Sequence, residues 1–195
     1  MYNYEIDEKI PIPKDIKKEI YKRRAKPNNN TFKKKAKWGL PENYIYHTLT
    51  KPGLTDDEMY FAMILENDER DIMNEFWDKQ VIDYNIFYEG GVKCMGVLFE
   101  DKEGNIDNVY GLTPTALVFL SSHLSNELLT SIIYDPSEQN YFIDFMHEYY
   151  ETQTTDIYKK IISKEQWDEA IALSIENMYE INRKRIEQNQ KDLDR

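Results

Sequence analysis

VIDYNIFYEGGVKCMGVLFEDKEGNIDNVYGL, residues 81 to 112, decides how this chain folds. Over 81–88, Ile82, Tyr84, Ile86 and Tyr88 alternate with Asp83 and Asn85, the period-two pattern of a strand with one buried face. Gly90 and Gly91 turn the chain, VKCMGVLF returns it, and the turn-rich EDKEGN leads into IDNVYGL. The stretch therefore predicts a three-stranded antiparallel meander over about 81–112. No phosphate-cradling or dinucleotide-binding glycine pattern surrounds Gly90 and Gly91, so they read as hairpin glycines.

Helical patterns flank the meander. Upstream, Thr55 is an N-cap, Asp56, Asp57 and Glu58 suit the positive end of a helix dipole, and an amphipathic run reaches about Lys79, with Asn67 where it would break. Downstream, Thr113 and Pro114 open a helix towards Ile133 that puts Leu117, Leu120, Leu124 and Leu128 on one face and has a restart signal at Ser125. Asp135, Pro136 and Ser137 break it. A third helix, over EQNYFIDFMHEYYE, buries Phe142, Phe145, Met146 and Tyr149. Ser163 and Gln166 form a capping box for a last helix with Trp167, Ile171, Ile175, Met178 and Ile186 inward and a polar end. A short strand is expected over NYIYHTL, residues 43–49. The fold class is α+β: the meander packed by four to five helices, with a basic N-terminal helical arm. Residues 1–38 form the arm and 39–195 a single acidic domain.

The charge division is the second strong signal. Net charge is -11, yet between Lys14 and Lys37 eleven basic residues face two acidic ones, leaving 14 basic and 34 acidic elsewhere. Within the arm KDIKKEIYKRRAK reads as a helix with a narrow Ile16–Ile20 stripe, ended by Pro27 and a turn at Asn28, Asn29 and Asn30. Lys22, Arg23, Arg24, Lys26, Lys33, Lys34, Lys35 and Lys37 could release counterions from a nucleic acid, and Phe32 and Trp38 could stack on bases. The same lysines could equally lie in solvent or against the chain's own carboxylates, and the acidic remainder repels a polyanion.

Opposite in sign, Asp68, Asp71, Glu75 and Asp78 fall within about 80° on a helical wheel, away from Ile72, Met73, Phe76 and Trp77. With Asp56, Asp57, Glu58, Glu66 and Glu69 they form an acidic surface that either meets a positive groove on a partner or is an ordinary solvated face.

Catalytic signals are weak. Asp144, His147 and Glu151, with Glu148 adjacent, have a spacing that could share a metal or a proton, but no second E-x-x-H and no HExxH accompanies them. Ser121, Ser122 and His123 adjoin along a helix and so do not face one another, and there is no G-x-S-x-G elbow. Cys94 stands alone, which excludes an intrachain disulfide and a cysteine-based zinc site; it reads as a small buried hydrophobe. No cofactor and no metal are implied.

No secretory h-region opens the sequence and no apolar run approaches the ~20 residues of a membrane span, so a soluble cytoplasmic protein is expected. Abundant Lys, Asn, Ile and Tyr fit AT-rich coding, as in a low-GC bacterium or its phage. The resulting expectation is a non-enzymatic acidic binding protein that occupies a basic surface of a nucleic-acid-handling protein, an inhibitor or regulator of the anti-defence type encoded by a phage or mobile element. The alternatives are a nucleic-acid-binding regulator working through 14–37, and a small enzyme or metal site at Asp144, His147 and Glu148.

Overall fold

The hairpin turns where the glycines place it. In the computed structural model, which describes residues 12–25, 53–109 and 111–194, strand β1 (Gln80–Glu89) pairs antiparallel with β2 (Val92–Glu100), and β2 with β3 (Ile106–Val109), in the order β1-β2-β3. Gly90 and Gly91 adopt φ of 58° and 81°, the left-handed pair a two-residue hairpin loop requires. The second turn is held by Asp101, whose Oδ1 accepts from the amides of Glu103 and Asn105.

One detail departs from strict alternation. Val81 pairs with Phe99 and Asp83 with Leu98, so Ile82 is the extra residue of a β-bulge. The bulge resets the phase, and Val81 and Tyr84, rather than Ile82 and Tyr84, are the buried pair. Along the expected inner face, exposure rises from 6% at Tyr84 to 43% at Ile86 and 73% at Tyr88, so the hairpin tip outreaches the body. Met95, Val97, Phe99 and Val109 complete the buried face. Phe76 stacks on Phe99 at 4.1 Å, and Tyr84 lies 5.2 Å from Phe142 and 5.6 Å from Phe145.

Seven helices accompany the sheet among the described residues: α1 (Lys14–Ala25), α2 (Asp56–Glu75), α3 (Pro114–Ser121), α4 (Asn126–Tyr134), α5 (Pro136–Gln153), α6 (Asp156–Ile161) and α7 (Lys164–Leu193). The class is α+β as expected, with more helices than the sequence pattern announces. One addition is α6, capped by Thr155 and too short to show periodicity. The other comes from a split: the chain turns at Ser122–Leu124 and Ser125 caps a new helix, accepting from the Leu128 amide. The split has a tertiary cause. The His123 carbonyl accepts from the Val81 amide at 2.7 Å, and the Ser125 amide donates to the Val81 carbonyl at 2.9 Å, so the base of β1 gains a second neighbour.

All eight residues of α3 are buried, and it packs mainly on α7. Two phenols meet Leu112, two residues before the helix, and hold its approach: Tyr149 Oη accepts from the Leu112 amide at 2.9 Å, and Tyr158 Oη donates to the Leu112 carbonyl at 2.7 Å. Trp167 lies 5.6 Å from Tyr149 and 5.8 Å from Tyr150, and its Nε1 donates to the Met146 carbonyl at 2.9 Å. These rings are core with every polar tip satisfied; each contributes about 1.5–3 kcal/mol through burial. Tyr134 and Tyr141 are exposed instead. In α7 the Ser163–Gln166 capping box forms as read, and burial of Trp167, Ile171 and Met178 follows the stripe. Ile186 breaks the expectation at 44% exposure, because α7 has by then run past the elements that cover its first half.

Helix α1 lies against α2 with Ile20 fully buried and Ile16 partly so, as the narrow stripe requires. The expected turn at Asn28–Asn30 and the strand over 43–49 lie outside the described residues.

Candidate functional site

Helix α2 positions the acidic residues. Thr55 Oγ1 accepts from the Glu58 amide at 3.3 Å and Glu58 Oε2 accepts from the Thr55 amide at 3.4 Å, a reciprocal cap that fixes the first turn. The helix then runs unbroken through Asn67 and stops at Glu75, short of the expected Lys79, because the Phe76 ring turns onto Phe99 and the next residues lead into β1.

On the outward face Asp71 and Glu75 are exposed and Asp68 is half-buried, and among the described residues none of the three has an ion pair or a side-chain hydrogen bond. Asp78 is also exposed and unpaired there, but it sits in the turn after the helix rather than on its face. Burial, followed by the neighbouring Asp71 charge, pushes the Asp68 carboxyl up to about 6. Asp68 therefore holds a proton at mildly acidic pH chiefly because it is half-buried, and a cation brought to it would release that proton. Beside Asp78, Trp77 was expected inward and is 48% exposed. Its ring is steadied by Phe119 at 6.0 Å and His123 at 5.8 Å, which presents an aromatic surface next to the carboxylates.

Three of the acids assigned to that surface point the other way. Glu58, Glu66 and Glu69 are buried. Glu58, Leu65, Glu69, Ile72 and Phe76 share one side of the helix, and that side faces the core. Each buried acid is neutralised differently. Glu58 pairs with Lys160 at 2.6 Å; burial raises its carboxyl, but Lys160 and the Thr55 cap outweigh this and hold it below the ordinary value. Glu66 pairs with Arg70 one turn on. Glu69 has no ion pair among the described residues: the Thr113 hydroxyl donates to Oε2, and burial pushes the carboxyl up to about 8, the hydrogen bonds from Thr113 and Thr115 and the more distant Arg70 charge offsetting only part of the cost. At neutral pH Glu69 is therefore a carboxylic acid.

Elsewhere the candidate residues are dispersed. His147 Nδ1 lies 3.2 Å from Asp168, Glu148 pairs with Lys93 at 3.3 Å, and Asp144 is exposed. Among the described residues no group of three or more His, Cys, Asp and Glu side chains could hold a metal ion. Asn177 Nδ2 donates to Ser121 and Ser122 at 3.0 and 2.9 Å, while His123 Nδ1 meets the Lys79 carbonyl at 3.2 Å, so the serines and the histidine engage different partners. Cys94 is half-buried, with Sγ 3.6 Å from the Val92 carbonyl. Of the basic arm, Lys22 is exposed on α1 and Arg23 and Arg24 lie in its last turn; Lys26, Lys33, Lys34, Lys35 and Lys37 lie outside the described residues. No described helix is long and apolar enough to cross a membrane. No protein-family model, curated protein or solved structure matches the chain.

Proposed function

We propose that this protein is a non-enzymatic binding protein whose outward carboxylates on and just after α2 occupy a basic surface of a nucleic-acid-handling partner. One observation carries the reading: Asp68, Asp71, Glu75 and Asp78 have no cation among the described residues, and Asp68 already holds its proton to about pH 6. Carboxylates spaced along a rigid helix present regularly placed negative charge, which is what a groove built for phosphates receives. Trp77, exposed and braced, supplies the aromatic anchor such interfaces favour. An inhibitor or regulator of a host defence or replication factor, encoded by a phage or mobile element, fits these features.

The test is capture followed by competition. The chain recovers a basic protein from lysate, mass spectrometry identifies it, and added chain displaces labelled duplex DNA from the purified partner. Asp71→Lys with Glu75→Lys abolishes both effects. Unchanged capture by the doubly reversed variant, or a captured partner that keeps its DNA, overturns the proposal.

A second reading rests on α1, where Lys14, Lys17, Lys18 and Lys22 are exposed and make no ion pair among the described residues. It assigns nucleic-acid contact to 14–37. A salt-dependent shift of labelled duplex or single strand that disappears when Lys33, Lys34, Lys35 and Lys37 become Ser supports it; no shift at any salt removes it.

A further inference from the structure

Between α4 and the second half of α7 lies a groove of about 550 Å³ that contains a half-buried cation without a carboxylate. Arg185 is pinned by neutral acceptors: Nη1 donates to Asn126 Oδ1 and Nη2 to the Leu124 carbonyl, each at 2.9 Å. Burial lowers its pKa, and no described carboxylate compensates. Two residues earlier on the same helix, Arg183 is exposed and holds Glu180 and Glu187, each at 2.6 Å. A chain with 36 acids has thus paired its solvated arginine twice and left the groove arginine for something else.

The surroundings restrict what that is. Carboxamides of Gln80, Asn126, Asn182, Gln188 and Asn189 line the groove with Arg185. Each carries a donor and an acceptor, the alternation a peptide backbone offers. Asn182 is partly committed, donating to Tyr134 Oη at 3.0 Å, and Gln188 donates to Asp192 at 3.1 Å; Gln80 and Asn189 have no side-chain hydrogen bond among the described residues. The nine residues of α4 span roughly 13 Å, the length of about four extended residues. One guanidinium matches one carboxylate. A dianionic phosphate would remain under-neutralised, with no second Arg or Lys lining the groove and Glu127 in the first turn of α4.

We propose that this groove binds a short extended peptide segment through its backbone and clamps the C-terminal carboxylate of that segment on Arg185. Nothing in this depends on the acidic face of α2.

The test follows side-chain amide and Arg185 Nε signals of the full ¹⁵N-labelled chain. Randomised N-acetylated tetrapeptides with a free C-terminal carboxylate should shift the Asn126, Asn182, Asn189 and Arg185 signals saturably, and the same peptides with amidated C-termini should bind at least tenfold more weakly. Arg185→Gln should abolish the preference for the free carboxylate. Because it also removes two structural hydrogen bonds, Asn189→Leu is the companion variant: it fills the groove, and it should weaken peptide binding about tenfold while leaving the unfolding temperature unchanged. No saturable shift with either peptide set, equal binding of free and amidated peptides, or stronger binding of mononucleotides or inorganic phosphate would overturn the proposal.

Discussion

Helix α2 carries acids on opposite sides, and the two sets behave as different chemistry. Inward, Glu58 and Glu66 have each recruited a cation, and Glu69 has kept its proton. Outward, Asp68, Asp71 and Glu75 share one face of the helix without a counter-charge among the described residues, and only Asp68, half-buried, is raised, to about 6. The contrast teaches that carboxylate count says little about a surface; solvation decides whether an acid is a structural part or an unspent charge.

The largest effect expected from breaking this contrast is at Glu69. Glu69→Lys puts an ammonium where Thr113 and buried phenols surround the site, and should cost more than about 4 kcal/mol in denaturant unfolding, enough to unfold the chain. Next is the outward pair: Asp71→Lys with Glu75→Lys should weaken the captured partner about a hundredfold while changing stability by less than about 0.5 kcal/mol. The same partner should bind more weakly as pH falls below about 6, where Asp68 takes up a proton that binding must expel; isothermal titration at pH 5 and 7 reads this.

Glu69→Gln sharpens the comparison more gently. A folded-state value of about 8 against the ordinary 4.5 means that the native chain holds a proton the unfolded one has lost, so this group makes stability fall as pH rises from about 4.5 to 8. The amide has no proton to lose. The variant should flatten that slope and gain about 1–3 kcal/mol at pH 8 in chemical denaturation. Smallest is Lys160→Ala, which leaves Glu58 without its cation and should cost about 1 kcal/mol, since the lysine is 60% exposed and solvent can replace part of the pair.

Much of the fold was legible because its signals are local. Gly90–Gly91, the Thr55 and Ser163 caps and the Phe142–Phe145–Met146–Tyr149 stripe each act within a few residues, and all of them formed, whereas the leucine face expected from Leu117 to Leu128 is interrupted and α4 buries Leu129 and Ile132 in place of Leu128. The bulge at Ile82 and the break at Ser122–Leu124 were not fully readable, since both answer a long-range bridge between Val81 and Leu124. In the candidate site, Asp71 and Glu75 came out exposed as the wheel placed them. Glu69 had a visible signal that counting charge obscured: it sits between Leu65 and Ile72 at helical spacing, where an acid can only be buried. Asp78 left the helix because of the ring stacking of Phe76, which no periodicity encodes. Arg185 had no signal at all; its isolation depends on which residues of α4 cross α7.

The two tyrosine hydroxyls on Leu112 bear on how the protein is made. They arrive 37 and 46 residues later in the chain, so a nascent polypeptide that has emitted the sheet and the largely apolar, wholly buried α3 still lacks the groups that close around it. Synthesis must therefore pass through a stage with a sticky helix uncovered until α7, its main packing partner, has also emerged, and slow translation between residues 121 and 178 should send more of this polypeptide to chaperones or into aggregates than slow translation after Met178.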